Sequence, residues 1–523
     1  MATAAVSPPL ADGQAAVVAF LASGHAFGGA PPTRIDTHAA HIFLAGDQAW
    51  KLKRAVKYPY LDFSTPGLRR AALQSELELN RRTAPDLYRG VWPVTRDKSG
   101  ALHVAGAGEP VDWLLEMRRF PQSALLSEMA DKGGLDEAVL TRLADRLVGF
   151  HAIAAQCVTG GGSDRLRRVT CGNLDSLSLH PAICSPADVA ALIKAQLARI
   201  DANARLLDRR SETGRVRHCH GDLHLANIAM IDGEPTLFDC LEFDSELAQI
   251  DVLYDLSFLL MDLWEHRLHQ AASLVFNRYF DLSPGDEEAV GLMPLLMSIR
   301  ATIRAHVLAA AAKEPGDAAA QSARAYLSLA DRLLQPVEPT LVAIGGLSGT
   351  GKSTLARAIA GDIGAPPGAR LIRTDVLRKR IAGVAPEVAL PRASYTPAAS
   401  RRTYAAAFAL AAQALATGAS VVIDAVFADS KERAAIEQLA PPQARWHGLW
   451  LTASRSRRLE RVAARDRRDR DASDADQKVA AAQVEPPASA LLGWRCVPAD
   501  AGPADTLAGA RAALASDLTR NAG

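Results

Sequence analysis

GGLSGTGKST, residues 345–354, decides the fold of the second half of the chain. An apolar run, LVAI, stands in front of it and a helix-patterned run, LARAIAGDI, behind it. Residues 346–353 match GxxxxGK[ST] at every fixed position, in a strand–turn–helix context. Glycines let the backbone wrap a phosphate chain with its N–H groups pointing inward, and the helix N-terminus adds positive potential. Gly346, Ser348, Gly349, Thr350, Gly351, Lys352, Ser353 and Thr354 are therefore expected to hold a nucleoside triphosphate. Lys352 would reach the β- and γ-phosphates and act in catalysis, and the Ser353 hydroxyl would ligate Mg²⁺.

Downstream, strands and helices alternate: RLIRTD, SVVIDAVF, RWHGLWLTA and WRCVPAD are strand-like, with helical patterns between them. Such alternation predicts a parallel sheet covered by helices. Asp375 and Arg378 lie three apart at a helix start, where a carboxylate base and an arginine suit an acceptor hydroxyl beside an anionic group. The competing reading is a helix-capping aspartate with a solvated arginine. Asp424 ends an apolar strand, either as a second Mg²⁺ residue or as a simple cap. Ala425 follows it where a motor ATPase would carry a water-activating glutamate, so transfer to an acceptor fits better than hydrolysis. RSRRLERVAARDRRDRDASDAD, from Arg455, reads in two ways. It is a lid bringing Arg461 and Arg465 to the transferring phosphate, or a salt-bridged solvated helix. Interleaved aspartates and missing aromatics argue against a nucleic-acid surface.

Upstream, QPVEP (residues 335–339) is a proline-containing joint, dividing the 523 residues into an α+β domain, 1–335, and an α/β domain, 336–523. In the first, a hairpin pattern turns at Gly46-Asp47, and its second strand carries Lys51 and Lys53. A helical run from Leu68 holds Glu76 and Glu78. His220-Gly221-Asp222-Leu223-His224-Leu225-Ala226-Asn227 follows a short strand, and Phe238-Asp239 ends the next hairpin. Transfer of a phosphoryl group to a hydroxyl needs a base, two oxygen ligands for Mg²⁺ and a lysine on the phosphates. Asp222, then Asn227 with Asp239, supply the first two in order. Lys51 held by Glu76 is the candidate for the ATP lysine, with Lys53 and Glu78 as open neighbours.

These residues carry a resemblance. Residues 35–335 resemble the aminoglycoside phosphotransferase and choline kinase branch of the protein-kinase fold, in which glycine stands where protein kinases have arginine, as at Gly221. The resemblance implies ATP, Mg²⁺ and a small hydroxylated acceptor. The metal motif reads Phe238-Asp239-Cys240, so only its aspartate carries over, and no GxGxxG is present; the hairpin around 37–40 would have to cover the phosphates. Residues 336–523 are similar to small P-loop kinases grouped with polynucleotide kinase, zeta toxin and gluconate kinase. The whole chain resembles bacterial fusions of the two.

Composition bounds the function. Net charge is +1, so no global field draws nucleic acid or anionic membrane. Six scattered cysteines without a CxxC pair argue against disulfides or zinc and fit a cytoplasmic protein. No apolar run reaches the ~18 residues of a membrane span, and Arg300 and Arg304 interrupt one stretch. That arginine pair either admits an anionic acceptor or pairs with Asp251 or Asp255. A polycationic antibiotic as acceptor would call for an acidic pocket, and no acidic cluster stands out. The leading reading is a two-headed ATP- and Mg²⁺-dependent kinase of small molecules. The alternatives are a nucleotide sensor with one inactive head, or a nucleic-acid 5′-hydroxyl kinase through the second half. Acceptors and oligomeric state are not legible.

Overall fold

The computed structural model describes residues 14–37, 39–58, 61–157, 161–242, 245–465 and 472–515. The chain separates into two compact units, residues 1–160 with 210–259, and residues 161–209 with 260–523. The joint at 335–339 does carry the chain from the helix Ala318–Leu333 into the strand Thr340–Gly346. Compactness, however, groups the helices of 161–209 and 260–333 with the second half.

In the first unit an antiparallel sheet runs in the order Thr33–Asp36, Ala40–Ala45, Gln48–Lys53, Glu109–Arg118, Tyr88–Arg96, Leu102–Val104. Period-two alternation places Lys51 and Lys53 on the same face of their strand. The helix Pro66–Arg81 is started by Thr65, whose side chain accepts from the Leu68 N–H, and by Pro66 in the first turn. It buries Arg69, Leu73, Glu76, Leu77 and Asn80, a three-to-four spacing that puts a carboxylate in the middle of an apolar stripe. Arg69 is held by two bonds to buried Asp112 (2.8 and 2.9 Å). The strand Val216–His218 pairs with Gln249–Asp251, and the hairpin Ile228–Ile231 with Glu234–Leu237 turns at Asp232-Gly233.

The second unit contains a parallel sheet in the order Arg370–Arg373, Val421–Asp424, Thr340–Gly346, Arg445–Thr452, Trp494–Pro498. Leu341 and Ala343 face one core, with Ala407, Ala411 and Trp450. Val342 and Ile344 face the other, with Leu355, Ile359 and Leu449. Both faces are covered, which is why the central strands Thr340–Gly346 and Val421–Asp424 read as unbroken apolar runs.

Arg370–Arg373 is an edge strand, and on its outer side a helix takes the place of another strand. Asn277, in the helix His269–Leu282, donates to the Ala369 carbonyl (3.1 Å) and accepts from the Leu371 N–H (2.7 Å). Beside it Arg370, 1% exposed, is held by Glu287 (3.0 and 3.1 Å) and Asp281 (2.8 Å). Helices assigned to the first domain from sequence thus complete the edge of the P-loop sheet.

Among the described residues, one helical stretch, Glu287–Ala311, has the length and composition to cross a membrane, and 67% of its most apolar window is buried inside the protein. Gln196 donates to Ser298 (2.9 Å) and Thr302 (2.8 Å) on that stretch, as core packing demands. Arg304 lies against the Tyr326 ring, 5.9 Å from its centre, and Asp251 is paired with Arg210 (2.7 Å).

Candidate active sites

In the first unit three segments far apart in sequence meet at two lysines. Lys51 Nζ donates to Glu76 Oε1 (2.6 Å) and to Asp239 Oδ1 (2.9 Å). Lys53 Nζ lies 2.7 Å from Glu76 Oε2 and 2.5 Å from Glu242 Oε1. The choice left open between the lysines therefore resolves into a shared arrangement: one carboxylate, Glu76, receives both. Glu78 is outside it, bonded to Gln74 on the exposed side of the helix. Burial opposes the charge on Lys51, but Asp239, Glu76 and Glu242 together hold its pKa well above that of an ordinary lysine. Burial likewise opposes ionisation of Asp239, yet Lys51 and Lys53 pull its pKa below the usual carboxylate value.

Asp239 has a left-handed backbone (φ 60°), and its N–H donates to the Tyr88 hydroxyl (3.1 Å). The next N–H, of Cys240, donates to Asn80 Oδ1 (2.8 Å). The bend that presents the Asp239 carboxylate is thus fixed by two side chains from the other segments. Asn227 Nδ2 donates to both the carbonyl and the Oδ2 of Asp222 (each 2.9 Å), closing the 222–227 loop on itself. His224 Nε2 stands 3.5 Å from the same oxygen.

The loop is held from below by Asp255. Its two oxygens accept from the N–H of His220 (3.0 Å) and of Gly221 (2.9 Å), and it also meets His151 (3.1 Å). Gly221 is left-handed (φ +84°), and a Cβ there would lie 3.0 Å from that of Leu241. Asp255 is fully buried. Asp255→Ala is expected to orphan both N–H groups at a cost of about 1–3 kcal/mol each, whereas Asp255→Asn, which keeps one oxygen, costs less. Differential scanning calorimetry on the two variants checks this. His151, Cys219 and Asp255 have potential ligand atoms within 4.8 Å of one another, but the Asp255 oxygens are spent on the loop, and no metal is assigned there.

In the second unit, Lys352 opens the helix Lys352–Ala360 and its Nζ donates back to the Leu347 carbonyl (3.0 Å). Gly346, Ser348, Thr350 and Gly351 line the turn, and Thr354 is exposed on the helix. Gly349 (φ +86°) is required by close approach: a Cβ would sit 2.4 Å from the Arg458 carbonyl oxygen. Ser353 Oγ donates to Asp424 Oδ2 (2.6 Å), and Arg373 Nε lies 3.6 Å from that oxygen. No helix follows Asp424 until Ser430, whose cap is Asp429, so Asp424 is not a helix cap. Nor is Asp375, which is the second residue of the helix Thr374–Ile381, whose cap position is Arg373. Burial and the neighbouring Asp424 raise the Asp375 pKa, against the pull of Arg373 and Lys352.

Arg378 donates to the Ser394 carbonyl (3.1 Å) and Ser400 Oγ (3.4 Å), with its guanidinium 4.8 Å from the centre of the Tyr395 ring. Arg461 donates to the Thr350 carbonyl (3.4 Å) and the Ala501 carbonyl (2.8 Å), so it sits on the phosphate loop rather than in solvent. The Arg465 side chain, with residues 466–471, lies outside the described residues.

A family model described as "Phosphotransferase enzyme family" matches residues 106–290, and one described as "AAA domain" matches residues 341–486. The uncharacterized protein Rv2004c of Mycobacterium tuberculosis (strain ATCC 25618 / H37Rv) is 33% identical over 414 residues, spanning 77% of this chain and 80% of that protein. The chain belongs to this family. It joins an aminoglycoside-phosphotransferase-like kinase domain to a P-loop kinase domain, and it is a phosphotransferase. The uncharacterized protein Mb2027c of Mycobacterium bovis matches to the same extent. A gluconokinase from Sinorhizobium meliloti 1021 is 21% identical, covering 35% of this chain and 99% of its own, with a TM-score of 0.24. A choline/ethanolamine kinase family protein from Mesorhizobium loti is 14% identical, covering 62% and 96%, with a TM-score of 0.39.

Lys53, Glu242, Asn80, Tyr88 and Asp255 are the site residues whose roles sequence reasoning missed or left open. Glu76 at a core position of an amphipathic helix was a usable signal for a buried charge partner, and two lysines at spacing two on one strand face were another.

Proposed function

We propose that this protein carries two kinase active sites, each moving the γ-phosphate of ATP to a hydroxyl of a small molecule, with Mg²⁺ as cofactor in both. The observation that carries the reading is Lys51, bridging Glu76 and Asp239 from segments 25 and 188 residues away. In that head Lys51 binds the phosphates, Asp222 orients the acceptor hydroxyl and takes its proton, and Asn227 and Asp239 hold the metal. In the second head Lys352 and the loop amides bind the phosphates, and Ser353 and Asp424 hold the metal. Asp375 takes the proton, Arg378 binds the acceptor, and Arg461 and Arg465 offset charge on the transferring group. The Ser353–Asp424 pair presents oxygen donors alone, which suits Mg²⁺. The boundary between the heads is placed at 335–339 and the compartment is taken as the cytoplasm.

The test is a metabolite extract incubated with γ-labelled ATP and with the Asp222→Asn and Lys352→Ala proteins. Each variant is expected to lose one labelled product and keep the other. A product that survives both variants, or no product at all, overturns the reading, and nucleotide binding without any product leaves a sensor. A label on 5′-hydroxyl oligonucleotides that needs Lys352 and Asp375 would replace the small-molecule acceptor of the second head.

The raised pKa of Asp375 gives a pH test. A base must be ionised, so second-head transfer should fall as pH drops through the Asp375 pKa, on an acid limb set above the ordinary aspartate range. A pH profile of the Asp222→Asn protein measures it; a limb near pH 4 counts against Asp375 as the base.

A further inference from the structure

Residues 473–485 touch both sides of the second head. Ser473 bonds Asp375. Asp474 accepts three bonds, from Lys379 Nζ (3.0 Å), from the Leu390 N–H (3.0 Å) and from the Tyr395 hydroxyl. Lys379 is 1% exposed, so its ammonium depends on that carboxylate. Through its ring Tyr395 meets the Arg378 guanidinium. Asp476 then caps the helix Gln477–Ala482, accepting from the Val479 N–H (2.8 Å). The carbonyls of Ala480 and Ala481 accept from Arg458 (3.2 Å) and Arg455 (3.4 Å) on the arginine helix. Immediately after it, Gln483 Oε1 accepts the N–H of Ser348, the third residue of the phosphate loop (2.7 Å).

A capped six-residue helix is a rod about 9 Å long, and a rod bonded at both ends moves as one piece. We propose that Gln483 and Asp474 are positioning residues joined by this rod. Gln483 sets the phosphate loop at Ser348. Asp474 sets Tyr395 and, through its ring, Arg378. Nucleotide at the loop therefore orders the acceptor side before an acceptor arrives. The proposal rests on the reading of residues 346–353 as a nucleotide site.

Hydrogen exchange on the full-length protein, with and without Mg²⁺ and the non-hydrolysable nucleotide AMP-PNP, tests it. Nucleotide should slow exchange at residues 348–353 and also, about tenfold, at residues 390–395. In Gln483→Ala, at saturating nucleotide, the loop should still gain protection while the response at 390–395 disappears. Asp474→Asn should behave in the same way. Gln483 is half-buried and its truncation orphans no charge, so it remains readable if Asp474→Asn, which orphans Lys379, fails to fold. A purely structural role would raise exchange equally with and without nucleotide. A response at 390–395 that survives in Gln483→Ala, or is missing from the unaltered protein while its loop is protected, overturns the proposal. A loop that gains no protection in any protein instead removes the nucleotide site beneath it.

Discussion

Asp222→Asn is expected to lower first-head product formation by about 10²–10⁴-fold while nucleotide affinity stays within a few-fold. The asparagine keeps the shape of the residue and still meets Asn227, which bonds the carbonyl of residue 222 as well as its side chain. What it loses is the ability to take a proton from the acceptor. The Lys51–Glu76–Asp239 bridge does not involve Asp222, so phosphate binding should survive. The measurement is single-turnover transfer of labelled phosphate in a Lys352→Ala background, which silences the other head. Undiminished transfer would remove Asp222 from the chemistry. Loss of nucleotide binding instead would give it a structural role.

The largest effect expected on stability is at Arg370. Arg370→Met removes the cation between half-buried Asp281 and buried Glu287 and leaves Arg380, 3.5 Å from Glu287, beside them. Breaking a buried pair from one side costs about 3–5 kcal/mol. Glu287 is 2% exposed, and burial already raises the Asp281 pKa with Arg370 in place. The sign with pH follows. A carboxylate whose folded pKa is raised, as that of Asp281 is, favours the protonated form, so the variant should recover stability as pH falls and lose it as pH rises. The triple variant Arg370→Met, Asp281→Asn, Glu287→Gln should recover most of the loss at neutral pH, since it buries no charge. Melting curves of the three proteins at pH 5.5 and 7.5 check both points. A single variant as stable as the parent at pH 7.5 contradicts the account.

The central strands Thr340–Gly346 and Val421–Asp424 are legible because doubly covered strands are unbroken apolar runs, and the other three, which carry arginine or histidine, are legible from their alternation with helical runs. The P-loop and the Asp222–Asn227 loop were legible because their chemistry fixes residue types at short spacing. Lys51 and Glu76 could be named from their order, but the sharing of Glu76 by two lysines could not. That depends on how one strand face meets a buried helix position, bringing Lys51 and Lys53 to the same carboxylate. In the sequence Asp255 reads only as a partner for Arg300 or Arg304, because a carboxylate that serves backbone N–H groups leaves no sequence signature. The backbone N–H groups that it accepts, of His220 and Gly221, lie 35 and 34 residues earlier. Gln483 is hidden for the same reason. The grouping of helices with the P-loop sheet was missed because a proline-containing joint marks where the chain changes pattern, not where its buried bonds lie.

The Asn277 contact bears on where such a chain can be cut. An amide side chain occupies the hydrogen-bonding positions that a neighbouring strand would take on Arg370–Arg373. A gene fragment encoding residues 336–523 alone would release a sheet with a bare, ladder-ready margin and an arginine stripped of its carboxylates. Such a product would be prone to stack on copies of itself. The joint at 335–339 therefore looks like a natural cutting point but is not one, because a fragment cut there loses the residues that cover this edge.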